Sequence, residues 1–172
     1  MRDDKPTVLS HTLTLLSMEN HHTFMQMAIA EAREGIRLGH GGPFGSVIVK
    51  DGMVLAKAHN RVLQNHDATA HGEIMAIRKA GEVLGTHDLT GCTLYTTGEP
   101  CHMCLCAILW ANISKVYYGC SIADNACIGF RDEHFDDLFG GRDRLGDLLT
   151  ELDREECRKL FAEYNNITHK EY

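Results

Sequence analysis

"FGSVIVKDGMVLAKAHN", Phe44–Asn60, reads as a strand, a two-residue turn and a returning strand. Val47, Ile48 and Val49 form the β-branched run of a buried strand, and Asp51-Gly52 is a dipeptide that accepts the left-handed backbone of a tight hairpin. A sheet therefore opens with an antiparallel pair. Upstream, "HTFMQMAIAEAREGIRLG" (His22–Gly39) repeats Met25, Ala28, Ile29, Ala32 and Ile36 at helical spacing, with Gly39 as the stop. Its methionines suit packing better than metal binding.

Downstream, helical and strand patterns alternate. "AHGEIMAIRKAGEVLG" (Ala70–Gly85) predicts a helix along Ile74, Ile77, Gly81 and Leu84, and "CTLYTT" (Cys92–Thr97) a short strand. "CHMCLCAILWAN" (Cys101–Asn112) predicts another helix, "KVYYGC" (Lys115–Cys120) a strand, and the stretch from roughly Asp153 to Tyr164 a final helix. Such alternation predicts an α/β fold, a three-layer α/β/α sandwich around a central mixed sheet of about five strands. The expected organisation is an amino-terminal extension over residues 1–19 and a single domain over 20–172, without repeats or a long linker.

Composition narrows the partners. Seventeen basic and 24 acidic side chains give a formal charge of −7, which gives no global help in binding a phosphate backbone or an anionic membrane and leaves room only for a local basic pocket. No apolar run reaches the length of a membrane span, and "VLSHTLTLL" lacks the flanks of a secretory signal. Seven cysteines in no regular framework suit reduced thiols and a cytoplasmic setting, which leaves the Asn112 and Asn166 glycosylation sequons formal only.

Two short segments carry the chemistry. In "GEPCHMC" (Gly98–Cys104), Cys101 and Cys104 fall on one side of a helix's first turn, where the amino end favours thiolates. An isolated CxxC suits a redox pair or half a structural zinc knuckle. Thirty residues upstream, however, "TAHGE" begins another helix with His71 and Glu73. One imidazole and two thiolates make a three-ligand zinc set with water in the fourth position, and Glu73 is placed to take a proton from that water. A structural tetrahedral site would need a fourth protein ligand, which neither segment supplies. "GHGGPFG" (Gly39–Gly45) lacks the GK[ST] of a phosphate loop and instead suits close backbone approach to a ligand.

With HxE followed by PCxxC, the chain resembles the zinc-dependent cytidine deaminase-like superfamily, in the branch that contains guanine, cytosine and tRNA adenosine deaminases; this signature and its chemistry are general to nucleobase deaminases. The resemblance runs from about His22 to Tyr172 and implies a cytidine deaminase-like fold, Zn2+ held by His71, Cys101 and Cys104, and proton shuttling by Glu73. Within the branch, "GGPFGSVIVKDG", "HN" (His59-Asn60), "IGFRD" (Ile128–Asp132) and the terminal "KEY" are similar to the small bacterial guanine deaminases. That similarity implies hydrolysis of guanine to xanthine and ammonia, a zinc-bound hydroxide attacking C2. Asn60 then fixes the base, Asp132 accepts from guanine's ring NH and exocyclic amine, and Phe130 covers the ring. Phe44 and Trp110 are candidate pocket walls. Tyr172 is a candidate for closing the site, within one chain or from the partner of a homodimer that exchanges carboxyl-terminal segments.

Two residues depart from the family pattern: Gly72 stands where alanine is common, and Arg131 where some relatives are acidic. The alternatives are a deaminase of guanosine, cytosine, isocytosine or a triazine, a tRNA adenosine deaminase, and a zinc scaffold without activity. The acidic balance and the lack of a basic carboxyl-terminal segment argue against a nucleic-acid partner. Glu73 argues against the scaffold, because structural coordination has no use for a proton shuttle.

Overall fold

The computed structural model describes the backbone of residues 8–132, of Phe135 and of Arg154, and within that range the side chains from His21 onward. The chain divides into two compact units, residues 1–133 and 134–172, and all the described strands belong to the first. The element order is α1 (Val8–Arg37), β1 (Gly45–Lys50), β2 (Met53–His59), α2 (Val62–Asn65), α3 (Gly72–Leu84), β3 (Cys92–Gly98), α4 (His102–Trp110), β4 (Lys115–Cys120) and α5 (Ile122–Cys127).

Asp51 and Gly52 both take positive φ, 50° and 77°, so the hairpin turns as the dipeptide requires. β1 then pairs antiparallel with β2 on one side and β3 on the other, while β3 pairs parallel with β4 across the α4 crossover. The mixed sheet has the order β2-β1-β3-β4, one strand fewer among the described residues than the sequence suggests. Strand alternation divides the interior. Val47, Val49 and Tyr95 join Ala28 beneath α1, whereas Ile48 and Leu94 join Ala76, Ala80 and Ile108 beneath α3 and α4. Fully burying an isoleucine or leucine of this kind contributes about 1.5–3 kcal/mol.

Three elements differ from their sequence reading. α1 runs back to Val8, because no glycine or proline interrupts Val8–His22 to end it at the edge of the apolar repeat. α3 buries Gly72, Glu73, Ala76 and Ala80, while the larger Ile77 and Leu84 flank that stripe. Small residues at the centre let the helix lie close on the sheet. α5 has a legible signal at its start: the Ser121 hydroxyl accepts from the Asp124 N–H, and the Asp124 carboxylate accepts from the Ser121 N–H. The helix expected near Asp153–Tyr164 lies outside the described residues.

Gly45 shows how tightly α1 and β1 are seated. A Cβ there would stand 2.5 Å from the Ala32 nitrogen and nearer still to the Ala28 carbonyl oxygen, both of them helix backbone that cannot swing aside. Gly45→Ala should therefore destabilise the fold by about 1–3 kcal/mol or more. The expected reading is a lower urea midpoint with an unchanged slope.

Candidate functional site

Two helix amino ends converge at one edge of the sheet. His71 is the N-cap of α3, and Cys101 is the N-cap of α4; both have extended backbone, and neither side chain is used to cap its helix. Cys101 and Cys104 each place Sγ 3.6 Å from His71 Nδ1, and the three donor atoms lie within 4.8 Å of one another. With Zn–S and Zn–N bonds of ordinary length, the sulfur–nitrogen edge of a zinc tetrahedron is about 3.6 Å. Imidazole and thiolate are also the donors that a borderline-soft dication selects. The group fits zinc in both geometry and chemistry.

The charges agree with this. A hydrogen bond from the Cys104 thiol, helped by one from His71, lowers the Cys101 pKa to about 4 against the opposing effect of burial. Donation to Cys101, followed by burial, pushes Cys104 upward, and the hydrogen bond with Cys101 raises His71. One thiolate and one retained thiol proton result, and a bound dication would displace that proton.

Glu73 stands beside the three donors and is not one of them. Its side chain is buried, 4% exposed, and burial raises its pKa. Oε1 accepts from the Thr96 hydroxyl at 3.2 Å, and Thr96 in turn accepts from Ser46 at 3.1 Å. The Cys104 thiol donates to Oε2 at 3.5 Å. This hydroxyl chain passes from β1 to β3 to α3 and holds the carboxyl group in one orientation without adding charge. The Gly72 position is correspondingly cramped: a Cβ there would meet the Phe44 carbonyl oxygen at 3.0 Å and the Ser46 hydroxyl at 3.1 Å. The glycine that departs from the family pattern thus sits directly against Glu73's support.

The expected base-binding residues are only partly gathered. Asn60, buried at the end of β2, donates its N–H to the Phe44 carbonyl at 2.8 Å, and its Oδ1 accepts from the Val62 N–H at 3.1 Å. Because Oδ1 is occupied by a donor, the amide presents its NH2 end elsewhere. Phe44 and Phe130 meet edge to face with centroids 4.6 Å apart. Gly42 and Gly98 make room for them: a Cβ at Gly42 would lie 2.5 Å from Phe130, and one at Gly98 2.9 Å from Phe44. Asp132 lies near enough for its charge to raise the His71 pKa.

Trp110 is placed differently. It ends α4, eight residues beyond His102 and so about 12 Å along the helix, and it is 68% exposed. Tyr172 lies outside the described residues. Three participants escaped sequence reading: Ser46, Thr96 and Asn125. Ser46 precedes the apolar run of β1, and Thr96 is one of three threonines in β3, so neither stood out within its strand. Asn125 is buried on α5, and its Oδ1 would be 3.1 Å from a Cβ at Gly98. Among the remaining described cysteines, Cys92 is buried, whereas Cys106, Cys120 and Cys127 are exposed.

Comparison with known proteins agrees with this geometry. Residues 18–120 match the family model described as the cytidine and deoxycytidylate deaminase zinc-binding region. Guanine deaminase of Bacillus subtilis (strain 168) is 51% identical over 113 residues, 66% of this chain and 72% of that protein. A tRNA-specific adenosine deaminase of Agrobacterium fabrum is 47% identical over 96 residues, 56% of this chain and 62% of that protein. The X-ray structure of guanine deaminase from Bacillus subtilis superposes with a TM-score of 0.81 at 40% identity, covering 88% of this chain and 98% of that one. Among the described residues, no helix is long and apolar enough to cross a membrane.

Proposed function

The chain belongs to the cytidine and deoxycytidylate deaminase family by its zinc-binding region, and from that premise we propose that it hydrolyses guanine to xanthine and ammonia. The observation that carries the reading is the three-donor group with Glu73 buried at its side. His71, Cys101 and Cys104 would hold a zinc ion, which when bound would supply the acidity that makes a water nucleophilic near neutral pH.

This chain's residues do the rest. Glu73 accepts the water proton, and its raised pKa lets it hold that proton and then donate it. The bond formed is C2–O and the bond broken is C2–N. Glu73 returns one proton to the ring nitrogen and moves a second to the departing amine, so water and guanine leave as ammonia and xanthine. Thr96 keeps Oε1 aimed through the cycle. Asn60 presents its amide NH2 to the base, Asp132 accepts from the N1–H and the exocyclic amine, and Phe44 and Phe130 shield the ring from water. Tyr172 closes the site from the carboxyl terminus, in a cytoplasmic homodimer. Support for guanine over an RNA substrate comes from the likeness to guanine deaminase, 51% identical over 113 residues and superposing with a TM-score of 0.81, and from the chain's net charge of −7.

The test is ammonia release from guanine, guanosine, cytosine, isocytosine, adenine, ammeline and a tRNA anticodon hairpin. Guanine should be turned over most efficiently; activity confined to the hairpin would overturn the reading. Asp132→Asn turns an amide NH2 toward a donor edge of the base, so kcat/KM for guanine should fall at least about tenfold. Zinc content, measured on the same samples, should stay at the wild-type level. Unchanged turnover would remove Asp132 from base recognition.

A further inference from the structure

Outside the metal group, three titratable side chains form a hydrogen-bonded chain that the deamination chemistry does not use. Glu31 Oε2 on α1 lies 3.2 Å from His59 Nδ1 at the end of β2, and His59 Nε2 lies 2.9 Å from His40 Nδ1 on the loop after α1. The two rings stack with centroids 5.1 Å apart. His59 is 8% exposed and packs against Gly35, where a Cβ would stand 2.7 Å from its ring. Nothing larger than glycine leaves that ring its place.

The contact has a limited proton capacity. Glu31 makes His59 Nδ1 a donor, so in the neutral pair His59 Nε2 accepts from His40 Nδ1–H. One added proton is accommodated, because either ring can be the donor across the 2.9 Å contact. A second proton sets two N–H groups against each other and breaks it. Both ends of this contact lead into the base pocket. The His40 carbonyl accepts from the Leu63 and Gln64 N–H groups at 3.0 and 3.1 Å, and Asn60, next to His59, holds the Val62 N–H at 3.1 Å. On the other side of His40, Gly41 leaves the space that the Asn60 amide occupies.

We propose that Glu31–His59–His40 is a positioning relay for base binding: it holds the glycine loop against Asn60 while it carries at most one proton, and releases it when both rings are protonated. The proposal rests on reading Asn60 and this loop as part of the base pocket. The other charges facing the relay are Glu34 and Arg37 on α1, paired at 2.6 Å, Lys57 on β2, 3.8 Å from Glu31, and Arg61 after β2. Burial first, then His59 and Arg61, hold the His40 pKa below 6.5. Because the first proton is shared, the closed contact is present at and above the ordinary histidine range, and it is lost only as pH falls far enough below that range to place the second proton on the pair.

The experiment follows amide exchange and steady-state kinetics of the full zinc-loaded chain from about pH 8 to about pH 5. In the wild type, protection of the Leu63 and Gln64 amides should fall about tenfold at the acid end. KM for guanine should rise about fivefold there, the size of one lost hydrogen bond. His59→Gln can still donate to Glu31 and accept from His40, but takes up no proton. Across the range its Leu63 and Gln64 protection and its KM should both stay flat, whatever their absolute level. His59→Leu should be loosened at every pH. If wild type and His59→Gln have the same pH profile of protection, the relay is overturned, a comparison that does not require His59→Leu to fold. Should guanine not be a substrate, amide protection still decides the relay; guanine turnover with a flat protection profile sinks the relay and leaves the proposed reaction standing.

Discussion

Replacing Glu73 with glutamine is expected to lower kcat by roughly 10²- to 10⁴-fold, the range of general acid–base catalysis by a positioned side chain, while metal content and fold persist. Glutamine keeps the shape. Its amide oxygen can accept from the Thr96 hydroxyl where Oε1 does now, and its NH2 then faces the Cys104 sulfur. What disappears is proton exchange. Stability should not suffer, because burial already disfavours the ionised carboxylate and a neutral amide escapes that cost. Ammonia release, zinc content and Tm on one preparation separate the outcomes. A Glu73→Gln protein that turns guanine over within tenfold of the wild-type rate would remove Glu73 from proton transfer. Loss of zinc together with activity would make it a support for the metal group instead.

The same residues show which parts of the molecule were legible in the sequence. The Asp51-Gly52 turn and the two helix starts at His71 and Cys101 were readable because each is a local event: a positive φ pair, an HxE, a CxxC. Ser46 and Thr96 were not. They meet only because β1 and β3 are neighbours with Ser46 opposite Thr96 in the register. Nothing within either strand announces that pairing. The relay has the same origin, since α1 must cross β2 before Glu31 can reach His59. The buried stripe of α3 was hidden because periodicity weights large apolar residues, whereas close helix–sheet contact selects Ala76 and Ala80. Local chemistry was visible, and everything set by sheet order was not.

Removing a ligand should have the other large effect. Cys104→Ala or His71→Ala is expected to leave the protein without stoichiometric zinc and without measurable turnover. Cys104 is fully buried, and its single thiol proton lies between Cys101 and Glu73 as alternative acceptors, so its loss leaves two acidic groups facing each other with neither metal nor shared proton. Binding to the folded state alone adds about 4 kcal/mol of stability when free metal exceeds Kd about a thousandfold. In a chain of this size each kcal/mol moves Tm by about 2–4 °C. Chelation of the wild type should therefore lower Tm by about 10 °C. His71→Ala should melt near the chelated wild type and be insensitive to chelator, whereas Cys104→Ala should melt lower still, because it also opens a void beside the charged pair. If chelated wild type retained its Tm and its turnover, the three-donor group would not hold the metal on which the reaction depends, and the proposed chemistry would lose its nucleophile.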